Sequence, residues 1–160
     1  MKIRIFKLFC GLLAMVGAGS TAAFAETLYP VQGPLAAQAP PQVMKAAFHG
    51  SNSGSFSLVQ ANGEKFQAKW ATVIPSFINN KTPEIPASYL PQPNLAFAWD
   101  TVYGQGYFLA QVLGTGIRQV VATGDKGTVI QVETLPASLH SGFNGVAVDS
   151  KGNIYKVVWP

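Results

Sequence analysis

Apolar and polar residues alternate along much of this chain, and the alternation has a period of two. Phe66, Ala68 and Trp70 interleave with Lys65, Gln67 and Lys69. Successive side chains of a strand point to opposite faces, so this segment reads as a half-buried strand. Just before it, Phe56 and Leu58 share a face opposite serines, and Asn62-Gly63 separates the two runs. Asn and Gly tolerate the positive φ of a tight turn, which predicts a hairpin. The arrangement returns twice. Residues 117–123 and 128–134 flank Gly124-Asp125-Lys126-Gly127, and residues 146–148 and 154–159 flank Asp149-Ser150-Lys151-Gly152. In the first of these pairs Ile130 and Val132 oppose Gln131 and Glu133. In the last strand Tyr155, Val157 and Trp159 form the apolar face. Residues 103–113 read as one more strand, with Gly104 and Gly106 marking a bulge or a close backbone approach. No segment reads as an amphipathic helix.

This pattern predicts an all-β fold: a small antiparallel barrel or sandwich of about seven or eight short strands with a proline-rich insertion loop. Residues 43–160 are expected to form a single β domain. Ahead of it, residues 26–42 carry Pro30, Pro34, Pro40 and Pro41, too many for a continuous helix or a central strand. They read either as an extended lead-in laid across the domain through Leu28, Tyr29 and Val31, or as a flexible tether. Residues 74–94 carry five further prolines along with Phe77, Ile78, Tyr89 and Leu90. A loop of that length is usually functional or disordered. It reads as cover for one end of the fold, as a partner surface, or as a disordered segment.

The first 25 residues read as an address. Lys2, Arg4 and Lys7 precede an uncharged run over 8–16, and Ala23-Phe24-Ala25 matches a signal-peptidase site. That is the layout of a secretory signal peptide. It predicts cleavage after Ala25 and a location in the periplasm or outside the cell. The apolar run is too short to span a bilayer, so no integral membrane span is expected after cleavage. Cys10, the single cysteine, lies inside the run behind Phe9, which is not a lipid-attachment signal. The remaining 135 residues hold no cysteine, which excludes disulfides, thiol nucleophiles and cysteine zinc sites. Three of the eleven basic residues leave with the leader. Eight then stand against seven acids, a net charge of +1. No basic surplus is left to suggest a nucleic-acid partner.

Candidate chemistry is sparse. His49 and His140 have no metal-ligand spacing. A Ser-His-Asp set can be assembled on paper with Asp100, Asp125 or Asp149, but no G-x-S-x-G elbow is present. Asp149-Ser150-Lys151-Gly152-Asn153 lacks the alternating acids of a calcium loop and reads as a turn. Gly104-Gln105-Gly106 and Gly114-Thr115-Gly116 lack the third glycine and the strand-to-helix setting of a nucleotide loop. Asn80-Lys81-Thr82 fits a glycosylation sequon. No catalytic residue, metal site or cofactor is therefore assigned. The aromatic residues remain. Trp70 sits on a clean apolar face and reads as core. Trp99, Asp100 and Tyr103, with Phe77 and Tyr89 of the proline-rich loop, are the candidate ligand- or partner-binding residues, because grooves use exposed aromatics on a rigid frame.

Leu28-Tyr29-Pro30-Val31-Gln32-Gly33-Pro34-Leu35 resembles the opening of a group of uncharacterised bacterial exported proteins and lipoproteins, in which a YPVxGPL-like motif precedes a glycine-rich β domain. The likeness extends through Asn62-Gly63-Glu64 with Trp70, Ala122-Thr123-Gly124 with Gly127-Thr128-Val129, and Gly145-Val146-Ala147 with Gly152-Asn153-Ile154-Tyr155. It implies an exported β domain and no activity. The string over 145–155 also looks like one blade hairpin of an NHL-type propeller, but it occurs once. The expected function is a non-enzymatic binding or structural protein of the bacterial envelope or extracellular space, with an envelope protein or polymer as partner. The alternatives are a small hydrolase of an envelope polymer using Asp100, Glu64 or His140, and a transmembrane barrel suggested by Trp159.

Overall fold

The computed structural model describes residues 23–73, 94–112, 116–136 and 143–159. Eight antiparallel strands close into a barrel in chain order: β1 (Ala23–Gln32), β2 (Met44–Gly50), β3 (Ser53–Val59), β4 (Lys65–Val73), β5 (Ile117–Thr123), β6 (Val129–Pro136), β7 (Phe143–Asp149) and β8 (Ile154–Val158). Two short helices, α1 (Leu95–Tyr103) and α2 (Tyr107–Val112), lie between β4 and β5. The expected barrel is thus present and the sandwich is not. The three expected hairpins are also present. Gly63, Gly127 and Gly152 supply the positive φ in their turns, at 79°, 88° and 84°.

Eight strands leave an interior just wide enough for side chains to fill. Leu28, Phe48, Phe56, Leu58, Phe66, Trp70, Ile130, Val132, Tyr155 and Val157 fill it. Phe48 meets Phe56 and Trp70 edge-on, with ring centroids 5.0 and 5.9 Å apart. Trp70 Nε1 donates to the His49 carbonyl across the β3 glycine Gly54. A Cβ on Gly54 would lie 1.7 Å from that carbonyl oxygen, so only glycine fits there.

Residues 26–32 are no lead-in. They belong to β1, which pairs with β2 on one side and closes the barrel against β8 on the other. Pro30 is tolerated because the pairing with β8 slips between Pro30 and Gln32, where the ladder needs no proline N–H. β1 starts ahead of the expected cleavage point: Ala23, Phe24 and Ala25 pair with His49, Phe48 and Ala47. After a cut at Ala25 the strand would begin at Glu26. The 33–38 turn then folds under the barrel, where Leu35 packs on the core and its N–H donates to Asn153 Oδ1.

The expected strand over 103–113 is also corrected. Residues 107–112 are helical, and α1 ends at Tyr103. Asn94 caps α1 by accepting from the Phe97 N–H at 2.9 Å, and Gly104 closes it at φ 93°. Leu95, Ala98, Trp99, Val102 and Tyr103 pack on the outer side of β6, β7 and β8. There they form a second core with Ile117, Leu135, Val146, Val148 and Ile154. The helix covers one half of the barrel, which explains why β7 is buried on both faces at its C-terminal end.

Among the described residues no helix lies on the outer face of β1 to β4. Lys45, Lys65, Gln67 and Lys69 are exposed there, while the interior is filled mainly by apolar side chains, with Glu26 and Arg118 at one end. A lipid-facing barrel has the reverse polarity, apolar outside and polar within. No helix among the described residues is long and apolar enough to cross a membrane.

Candidate functional site

The sequence-predicted site residues fall in different places. Trp99 is 1 % exposed and is not a surface aromatic. Its position on the apolar stripe of α1 turns it onto β6, where Nε1 donates to Glu133 Oε1 at 2.6 Å. Tyr103, half-buried, stacks on Tyr107 at 4.7 Å and donates its hydroxyl to the Gly145 carbonyl. Burial pushes its phenol up to about 12, which keeps that donor in place. Asp100 points away from this core and is exposed. Phe77, Tyr89 and His140 lie outside the described residues. Tyr107 and Phe108 complete the cluster around Trp99. The aromatics that neighbour one another in sequence do meet in space, but they meet as core.

The acidic residues are mostly structural. Glu133 is buried under α1 and is held by Trp99 and by Gln119 Nε2 at 2.6 Å. Burial raises its pKa above the ordinary carboxylate value. Glu64 seals the opposite end of the barrel, accepting from the Thr128 N–H and hydroxyl and from Lys151 Nζ. Burial opposes its ionisation, but the Thr128 bonds and Lys151 together prevail and hold the carboxyl below its ordinary value. Asp149 accepts from Asn153 and from the Tyr155 hydroxyl at 2.6 Å. Burial, then Asp149, drives the Tyr155 phenol upward.

Glu26 lies inside the barrel at the end where β1 and β5 begin. Arg118 Nη1 contacts Glu26 Oε1 at 2.6 Å, and its guanidinium lies 4.0 to 5.0 Å from the ring centroids of Phe143, Trp70 and Phe48. Glu26 Oε2 has no hydrogen-bond partner among the described residues. Burial outweighs Arg118 and pushes the Glu26 carboxyl up to about 7. Burial likewise lowers the Arg118 pKa against the pull of Glu26. The sequence pattern gave no hint of this pair, because its members are 92 residues apart.

These shifts predict a pH dependence. Glu26 and Glu133 bind protons more tightly folded than unfolded, so their contribution is complete below the unfolded value near 4.5. For Glu26 it is lost as pH rises through about 7. Glu64 acts oppositely and loses its contribution as pH falls below 4.5. Urea midpoints should therefore be highest at mildly acidic pH and decline toward neutrality, and Glu26→Gln should flatten that decline. A midpoint that climbs between pH 5 and 7 would contradict the assignment.

Burying four of six described carboxylates has a second consequence. Glu26, Glu64, Glu133 and Asp149 are inaccessible, whereas Lys45, Lys65, Lys69, Lys126, Lys151 and Lys156 are exposed. Asp100 and Asp125 are the exposed acids among the described residues. Residues 26–160, in which eight basic residues stand against seven acids, thus fold with more exposed lysines than exposed acids among the described residues, a surplus the charge count concealed. Three of the lysines share the helix-free face. Lys65 and Lys69 project from β4, Lys45 from β2, and β3 between them contributes Ser55 and Ser57. A shallow hollow of ≈ 550 Å³ lies here among His49, Ser55, Ser57, Gln67 and Lys69. None of the three lysines pairs with a carboxylate among the described residues. Asp125 stands at the rim, with its Oδ1 accepting from the Lys65 backbone N–H. Compared with known proteins, the chain matches no family model, no curated protein and no solved structure.

Proposed function

We propose that this chain is a non-enzymatic binding module of the bacterial envelope or extracellular space, and that it binds through the helix-free outer face of β1 to β4. The observation that carries this reading is the asymmetry of the barrel wall. One half is covered by α1 and α2, and the other is a sheet that no described helix covers, with a shallow hollow and lysines that pair with no carboxylate among the described residues. A filled barrel is a rigid mount for such a face, because its side chains already interdigitate. The leader at the N-terminus supports export.

The test is retention on washed cell-envelope fragments. Wild type should be retained, and Ser55→Trp, which fills the hollow from an exposed position, should lose most of that retention. Equal retention of both proteins would move the site off this face. Turnover of an envelope polymer by the wild type would replace the binding reading with a hydrolytic one.

A further inference from the structure

We infer that the occupant of this face is an extended anionic polysaccharide, one that carries a negative group on successive sugars. The inference rests on the binding reading above and names the ligand class.

The spacing of the cations argues for a polymer. Lys65 and Lys69 are four residues apart on β4, roughly 13 Å along the strand. Lys45 lies two strands from Lys65, through the Val59↔Lys65 pairing, or roughly 10 Å across the sheet. The three ammonium groups mark separate points on a shallow surface and do not converge on one small anion. A ligand that meets all three must carry several spaced negative charges. Between them Ser55, Ser57, Gln67 and His49 offer neutral hydrogen-bonding groups, the complement of sugar hydroxyls.

Two other polyanions fit less well. An acidic peptide would gain most by adding a strand to a sheet edge, but the closed barrel has no edge to extend. Single-stranded nucleic acid needs a run of aromatic platforms for its bases, and beside the serine, alanine, valine and glutamine around these lysines the one accessible ring of the hollow is His49.

The experiment measures binding of the exported protein to polygalacturonate, with uncharged dextran as reference, at low and at physiological ionic strength. Wild type should bind polygalacturonate and not dextran, more weakly as salt rises. Lys45→Gln/Lys65→Gln/Lys69→Gln should weaken binding by about tenfold or more, since each exposed ion pair contributes modestly and three are removed. Lys156→Gln, which lowers net charge on β8 beside α1 and away from this face, should lose less than about threefold. Both variants should unfold at the wild-type urea midpoint, because every substituted lysine is exposed. Equal weakening in the two variants, or no wild-type binding at low ionic strength, would overturn the inference. Tighter binding of polyglutamate or duplex DNA through the same three lysines would overturn the polysaccharide class and leave the binding face intact. If the triple variant binds every polyanion as wild type does and envelope retention also survives Ser55→Trp, the inference falls and the binding site lies off this face.

Discussion

Arg118→Met should destabilise the fold by about 3–5 kcal/mol at alkaline pH, where the Glu26 carboxyl, pushed up to about 7, is ionised, the usual cost of removing one partner of a buried ion pair. Arg118 is 5 % exposed and Glu26 is fully buried, so water cannot replace the lost contact. The variant also removes the guanidinium from among Phe48, Trp70 and Phe143, where each cation–π contact contributes about 0.5–2 kcal/mol. Glu26→Gln/Arg118→Met should recover much of the loss, because replacing both members leaves no uncompensated charge. The cost of Arg118→Met alone should shrink as pH falls and Glu26 takes up its proton. Urea unfolding of the two single variants and the double variant at two pH values closes the cycle. Additive effects of the two substitutions would show that the pair does not act as a unit.

Trp99→Ala should cost about 3–5 kcal/mol, the range for truncating a large buried aromatic. Two losses combine. A cavity opens among Tyr103, Tyr107 and Phe108, whose ring centroids lie 5.3 to 6.1 Å from that of Trp99. Glu133 Oε1 also loses its donor in a site that water does not reach. Trp99→Phe separates the two: it keeps most of the volume, removes the N–H, and should cost about 1–3 kcal/mol. The near-ultraviolet circular dichroism of the aromatic cluster should collapse in Trp99→Ala and persist in Trp99→Phe. If Trp99→Ala unfolds at the wild-type urea midpoint, α1 contributes nothing to the fold and the second core is an accessory.

The same residues show where sequence patterns suffice and where they mislead. α1 was legible in principle. Leu95, Ala98, Trp99, Val102 and Tyr103 follow the i, i+3, i+4, i+7, i+8 spacing of an amphipathic helix behind an Asn94 cap. The strand expected over 103–113 shares only Tyr103 with α1, and the glycines that suggested a bulge there, Gly104 and Gly106, separate α1 from α2. Gln131 and Glu133 were legible as the polar side of β6, yet both are buried, because α1 covers the face that a two-layer reading leaves to solvent.

By itself the sequence determined β3 to β8 and the three glycine hairpins. Side-chain alternation and positive-φ turns are properties of a few consecutive residues, and local sterics enforce them in any context. The tertiary structure decided the rest. It drew Thr27 to Val158 to close the barrel, set Glu26 against Arg118, and took four carboxylates out of solvent, which leaves the lysines of β2 and β4 paired with no carboxylate among the described residues. Those outcomes depend on pairings between residues about 90 to 130 positions apart. No local rule of propensity or period reaches across that separation; only burial in a common core selects them.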